Sequence, residues 1–259
     1  MLTILAFSLT LLGQAAPAQN PAAQLVSKML AYYSNAPTMT GTITLTASDG
    51  KGQVQVVTHL QYQRPSKLYI RQEKEGRDPL QWLTVSDGKL FSYDSPANLP
   101  GRQHRLIESV YQLIANEFTS DGSAVHRDYN VGEIYSVVAE ASLGDRSVPL
   151  DIAIGRVEHL NHDVLTWMTV ESGGKATLNG TDVNVINGKW REYGNQVSDP
   201  QYAPGTYEML ITDGGKLVRY TIKRKVGPKE SGGVLLTEAW DVDLTVNGKP
   251  DPNLFRLPQ

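Results

Sequence analysis

His159 and His162 stand three residues apart with Glu158 and Asp163 flanking them, residue types that can ligate a divalent transition metal. Spacing alone makes a weak site. No third ligand motif accompanies the pair, and the Asn- and Asp-rich segment reads as a loop entering a strand, so no metal is expected. His59 alternates with glutamines and reads as an exposed residue of a polar strand face. The chain has no cysteine, which removes thiol nucleophiles and thiolate-ligated metals. It also lacks a Gly-x-Ser-x-Gly elbow, a phosphate-binding loop and a dinucleotide fingerprint. Asn179-Gly180-Thr181 matches a glycosylation acceptor in form only. The residue with the sharpest requirement is Arg64. Strand parity sets it beside Val56, Leu60 and Tyr62, and a guanidinium on an apolar face must meet an acceptor or snorkel into water. The chemistry on offer is recognition, with no catalytic residue, no cofactor and no enzyme activity expected.

Those residues need elements to position them. Leu2–Leu12 is almost continuously apolar and is followed by Ala16-Pro17-Ala18, the pattern of a secretory signal cleaved after Ala18, although no Lys or Arg precedes the apolar core. Asn20-Pro21 then supplies a cap and a first-turn proline. Leu25, Val26, Met29, Leu30 and Tyr33 recur at helical spacing, and Asn35-Ala36-Pro37 ends the helix. From Met39 the period changes to two. Met39, Gly41, Ile43, Leu45 and Ala47 oppose a row of threonines. Ser48–Gly52 turns, and Val54, Val56, Thr58, Leu60, Tyr62 and Arg64 share a face. Further strands are expected over 67–75, 80–85 and 89–93, with Ser86-Asp87-Gly88 as a turn.

Residues 104–117 and 131–143 carry helical patterns, separated by a polar stretch from Thr119 to Asn130. Strands are expected again over 164–170, 175–186, 189–193, 207–212, 216–226 and 234–246. Asn187-Gly188 and Asp213-Gly214-Gly215 serve as hairpin turn signals. The expected class is α+β. One domain over 19–259 holds a curved antiparallel sheet, a half-barrel, with a helical insertion around 104–143.

The helix, the Thr-rich strand, Tyr62-Gln63-Arg64-Pro65-Ser66-Lys67-Leu68 and Leu83-Thr84-Val85-Ser86-Asp87-Gly88-Lys89-Leu90-Phe91-Ser92-Tyr93 together resemble the periplasmic outer-membrane lipoprotein carrier family. The resemblance covers about residues 20–100 and implies an incomplete barrel whose apolar concave face is closed by helices as a lid. It implies that acyl chains lie in that cavity and that Arg64 bonds to lid backbone as a latch, so that Arg64→Leu alters cargo release more than stability. Parity then names the expected lining as Ile43, Leu45, Val54, Val56, Leu60, Tyr62, Leu68, Ile70, Trp82, Phe91 and Tyr93, with Met39 beside them. The same residues would form the core of any β protein. The mature chain is longer than a plain carrier, chiefly through its middle.

A formal charge of −3 argues against nucleic acid as partner. Lys223-Arg224-Lys225 reads as a guard on a sheet edge. With no thiol for acyl anchoring, the expected product is an exported, soluble periplasmic or envelope protein that carries an acyl-bearing lipid or lipoprotein. The alternative is an envelope sensor of the same fold that binds such a signal and contacts a membrane protein.

Overall fold

The computed structural model describes residues 20–74, 80–94, 126–130, 148–154, 169–189, 205–226 and 234–257. Helix α1 spans Pro21–Ser34. Its start is set locally: the Asn20 side chain accepts from the Ala22 N–H at 3.0 Å, and Pro21 costs no hydrogen bond in the first turn. A short helix, α2, spans Val148–Ile154.

The strands are β1 (Thr38–Ser48), β2 (Gln53–Gln63), β3 (Lys67–Lys74), β4 (Leu80–Asp87), β5 (Leu90–Asp94), β6 (His126–Asn130), β7 (Glu171–Leu178), β8 (Thr181–Lys189), β9 (Thr206–Ile211), β10 (Leu217–Val226) and β11 (Val234–Val246). They form one antiparallel sheet in the order β6-β5-β4-β3-β2-β1-β11-β10-β9-β8-β7. Each wing is a meander, and the β1–β11 pair joins the two wings at the centre. No pairing closes β6 onto β7 among the described residues, so the sheet is open.

Two hairpins use the same four residues. In Ser48-Asp49-Gly50-Lys51 the aspartate Oδ1 accepts from the N–H groups of Lys51 and Gly52 at 2.8 and 2.9 Å. In Ser86-Asp87-Gly88-Lys89 it accepts from Lys89 and Leu90 at 2.7 and 3.0 Å. The N–H groups of Leu90 and Lys89 hold the Asp87 carboxyl below its ordinary range.

Three expectations are corrected. His126–Asn130, read as part of a polar spacer, is strand β6 paired with β5. The single strand expected over 175–186 is a hairpin, β7–β8, turning at Asn179 (φ 49°) and Gly180 (φ 79°). The other Asn-Gly pair, Asn187-Gly188, lies inside β8, where Gly188 faces Tyr207 in the register; a Cβ there would stand 2.3 Å from the Tyr207 ring. The Lys223-Arg224-Lys225 run lies at the end of β10, where Lys223 pairs with both neighbouring strands and Arg224 and Lys225 pair with β11 alone among the described residues. The helices expected over 104–117 and 131–143, the signal segment, residues 164–168 and the His159/His162 pair lie outside the described residues.

Register makes one face continuous. Rows run Ile70–Leu60–Gly41–Leu244 and Leu45–Trp240–Tyr220–Met209–Ile186 across the sheet. The apolar side chains of these rows, with Ala22, Val26, Met29, Leu30 and Tyr33 of α1 and Leu150, Ile152, Ala153 and Ile154 of α2, form one buried core. The opposite face is polar. It carries the pairs Arg219–Asp241 (2.6 Å) and His59–Glu73 (3.4 Å), and buries Phe255 of the C-terminal 3-10 turn Pro252–Phe255 near β3 and β4.

Candidate functional site

The inner face is the place to look, because it gathers most of the large apolar side chains of both wings. Of the expected lining residues, Ile43, Leu45, Val56, Leu60, Tyr62, Leu68, Ile70 and Trp82 are buried there, as is Met39. Val54 is half-buried and packs against the same core. Phe91 and Tyr93 stand opposite Ser86 and Thr84 in the β4–β5 register, and their side chains lie outside the described residues.

The C-terminal wing doubles this surface with Tyr207, Met209, Ile211, Tyr220, Trp240, Val242 and Leu244. Sequence reasoning omitted these, although the alternation in 234–246 signalled that face. Tyr220 stacks with Tyr207 at 6.2 Å and lies 5.7 Å from Trp240. Burial raises the Tyr220 phenol far above its ordinary value, with Tyr207 and Glu238 adding to the effect. The N-terminal wing is less uniform. Thr58, Gln72, Thr84 and Ser86 are buried on it, and Gln72 Nε2 donates to Thr58 Oγ1 at 3.1 Å.

Helix α1 lies on this face and is tied down along its length. At its start, Asn20 Nδ2 donates to the Val170 carbonyl at 2.7 Å. In the middle, Lys28 Nζ donates to the Asp213 carbonyl in the β9–β10 turn. The side-chain amide of Asn184 and the ammonium of Lys175 hold the Asp213 carboxyl below its ordinary range. Near the end, Tyr33 Oη donates to the Leu217 carbonyl at 3.3 Å and accepts from the Leu217 N–H at 3.2 Å. Burial pushes the Tyr33 phenol well above its usual range.

Arg64 finds its acceptors at the same end. Its Nε donates to the Ala36 carbonyl at 2.9 Å and its Nη2 to the Tyr33 carbonyl at 3.2 Å. The guanidinium sits 5.2 Å from the Tyr62 ring centre. A cation on the last carbonyls of a helix also complements the helix dipole. One acceptor lies in the last turn of α1 and the other just past its C-cap Asn35, at the end of an element that sequence reasoning had recognised without pairing it to Arg64.

These anchors show how far the helix reaches across the sheet. Fourteen residues of helix span about 21 Å. Yet the helix is tied to β2 at one end and to the residue preceding β7 at the other, six strand spacings away, about 29 Å along the sheet. With the reach of the Arg64 and Asn20 side chains added, the helix crosses the inner face from the start of β7 to the end of β2.

Tyr33→Phe tests the middle of this arrangement. It leaves the buried Leu217 N–H and C=O without their phenol partner and is expected to cost about 1–3 kcal/mol of stability, read by denaturant unfolding.

A separate cleft of about 330 Å³ opens on the polar face, lined by residues including Glu171, Asn187, Lys189, Glu208, Thr221 and Lys223. Its walls are charged and hydroxyl-rich, unlike the inner face. Among the described residues no three His, Cys, Asp or Glu side chains group as a metal site, and no helix is long and apolar enough to cross a membrane.

No protein-family model matches this sequence, and no curated protein matches it. Solved structures similar to it include the Pseudomonas aeruginosa MucA/MucB complex, at 11% identity and a TM-score of 0.44. That match covers 92% of this chain and 61% of the other, so the chain spans about three-fifths of the MucB structure it matches. The Mycobacterium tuberculosis lipoprotein LppX is similar at 12% identity and a TM-score of 0.44, covering 89% of this chain and 97% of that one. A LolA superfamily protein from Nitrosomonas europaea is similar at 9% identity and a TM-score of 0.30, covering 91% and 97%.

Proposed function

We propose that this chain is an exported carrier that holds acyl chains of a lipid or lipoprotein against the inner face of its sheet, with α1 part of the cover. The observation that carries the reading is the largely apolar inner face from β3 to β8, interrupted by the buried Thr58, Gln72, Lys74 and Glu238, with a helix held across it by side-chain-to-backbone hydrogen bonds. A curved sheet offers more concave surface than one helix fills, and an acyl chain is the ligand that such a surface rewards. Each buried methylene gains about 0.8 kcal/mol, so ten contribute about 8 kcal/mol before ordering costs.

Titration of the delipidated protein with fluorescent fatty-acyl probes tests this. Binding should saturate near one site and tighten by up to about fourfold for each added methylene. No binding at any chain length would leave the inner face as a structural core alone. The sensor reading uses the same face. It would show as loaded protein that keeps its probe when mixed with acceptor vesicles, where a carrier gives the probe up.

A further inference from the structure

The β10–β11 hairpin extends past both neighbouring strands. The last residue of β9 paired to it is Thr206, opposite Lys223, and the last of β1 is Ser48, opposite Thr237. Beyond these, among the described residues, Arg224, Lys225 and Val226 pair only with Leu236, Leu235 and Val234. Among the described residues this end is a two-stranded ribbon of three residue pairs, about 10 Å long.

Its composition is unlike that of the rest of the molecule. Leu235 is 53% exposed and Val234 41% exposed, two of the three large exposed hydrophobics among the described residues. Lys225 pairs directly with Leu235, and Lys223 lies two residues along on the same polar-side face; both lysines are exposed. Lys189, also exposed, continues that row through Thr206. Over 223–235 the sequence holds Lys223, Arg224, Lys225 and Lys229 against Glu230, in a chain whose formal charge is −3.

We propose that this ribbon docks the protein on an anionic lipid surface, with Leu235 and Val234 entering the headgroup layer and Lys223, Lys225 and Lys189 meeting lipid phosphates. The size of the ribbon decides between a membrane and a protein partner. A stable protein interface buries about 800 Å² on each side, more than three residue pairs of a narrow ribbon present. Membrane docking needs no such area, because a few apolar side chains and a few cations each act on the bilayer independently. The ribbon lies at the end of the sheet where α1 begins, beside Val170 and the start of β7.

Flotation of the purified protein with vesicles tests the assignment, using phosphatidylcholine alone and phosphatidylcholine mixed with phosphatidylglycerol. Binding to the mixed vesicles only is expected, weakening as salt is raised. Lys223→Gln and Lys225→Gln together should lower the partition coefficient by about 25-fold, at about fivefold per cation. Leu235→Ser should lower it further and make the remainder fully salt-sensitive. Both changes fall on exposed side chains, and unchanged circular dichroism and acyl-probe affinity would separate this result from any failure of the inner face. Equal binding to neutral vesicles, or full binding by the double variant, overturns the proposal. So does capture by polyglutamate without vesicle binding, which would mark a surface for an acidic protein.

Discussion

Gly41→Ala is expected to lower the free energy of unfolding by about 3–5 kcal/mol, combining a backbone conformation that costs 1–3 kcal/mol for a side chain with overpacking of similar size. Gly41 has φ +142° in the middle of β1, and an added Cβ would stand 2.1 Å from the Asp243 carbonyl oxygen. That oxygen belongs to β11, and the β1–β11 pair is the junction of the two wings. The clash is with backbone in the centre of the sheet, so no flexible side chain can yield. Gly50→Ala supplies the control. Its φ is +82° but a Cβ there meets nothing within 4 Å, so only the conformational cost of about 1 kcal/mol should appear. Denaturant unfolding of both variants reads the difference directly. Equal losses would show that the Asp243 contact does not matter and that the dihedral angle alone is responsible.

Arg64→Leu should cost about 2–4 kcal/mol and, if α1 covers bound cargo, also change the dissociation rate of an acyl probe. Two charge-assisted hydrogen bonds, to the carbonyls of Ala36 and Tyr33, are lost together, each contributing about 1.5–3 kcal/mol when isolated and less when they share one side chain. Arg64→Lys keeps the charge near the helix end but cannot span both carbonyls, so it should recover about half of the stability. The proposed latch adds a second reading: probe leaves more slowly from Arg64→Leu, because leucine extends the apolar wall. A stability loss with an unchanged dissociation rate would leave Arg64 as a helix anchor and remove the latch. Loss of less than about 0.5 kcal/mol would mean that water replaces both bonds without cost.

Much of this arrangement was legible in the residues alone. Alternation from Met39 to Tyr62 is a local property, since successive strand residues point to opposite faces, and it identified the inner face before any partner strand was known. The stripe of Val26, Met29, Leu30 and Tyr33 and the Asn20-Pro21 start identified α1 for the same reason. The two Ser-Asp-Gly-Lys turns are closed by hydrogen bonds within four or five residues, so their sequence is sufficient.

What the sequence left open depends on contacts between distant residues. Asn179-Gly180 and Asn187-Gly188 are equivalent locally, and pairing with β9 decides that the first turns and the second lies flat beside Tyr207. His126–Asn130 has no apolar alternation to announce a strand; its ladder with β5 makes it one. The strand order sets most of β10 in the interior of the sheet and leaves only its end, Arg224 and Lys225, without a described partner on the β9 side. Arg64 announced a need for acceptors, but parity cannot supply them. The carbonyls of Tyr33 and Ala36 reach it because a curved sheet carries the end of α1 over β2, a distance set by tertiary packing and written in no local pattern.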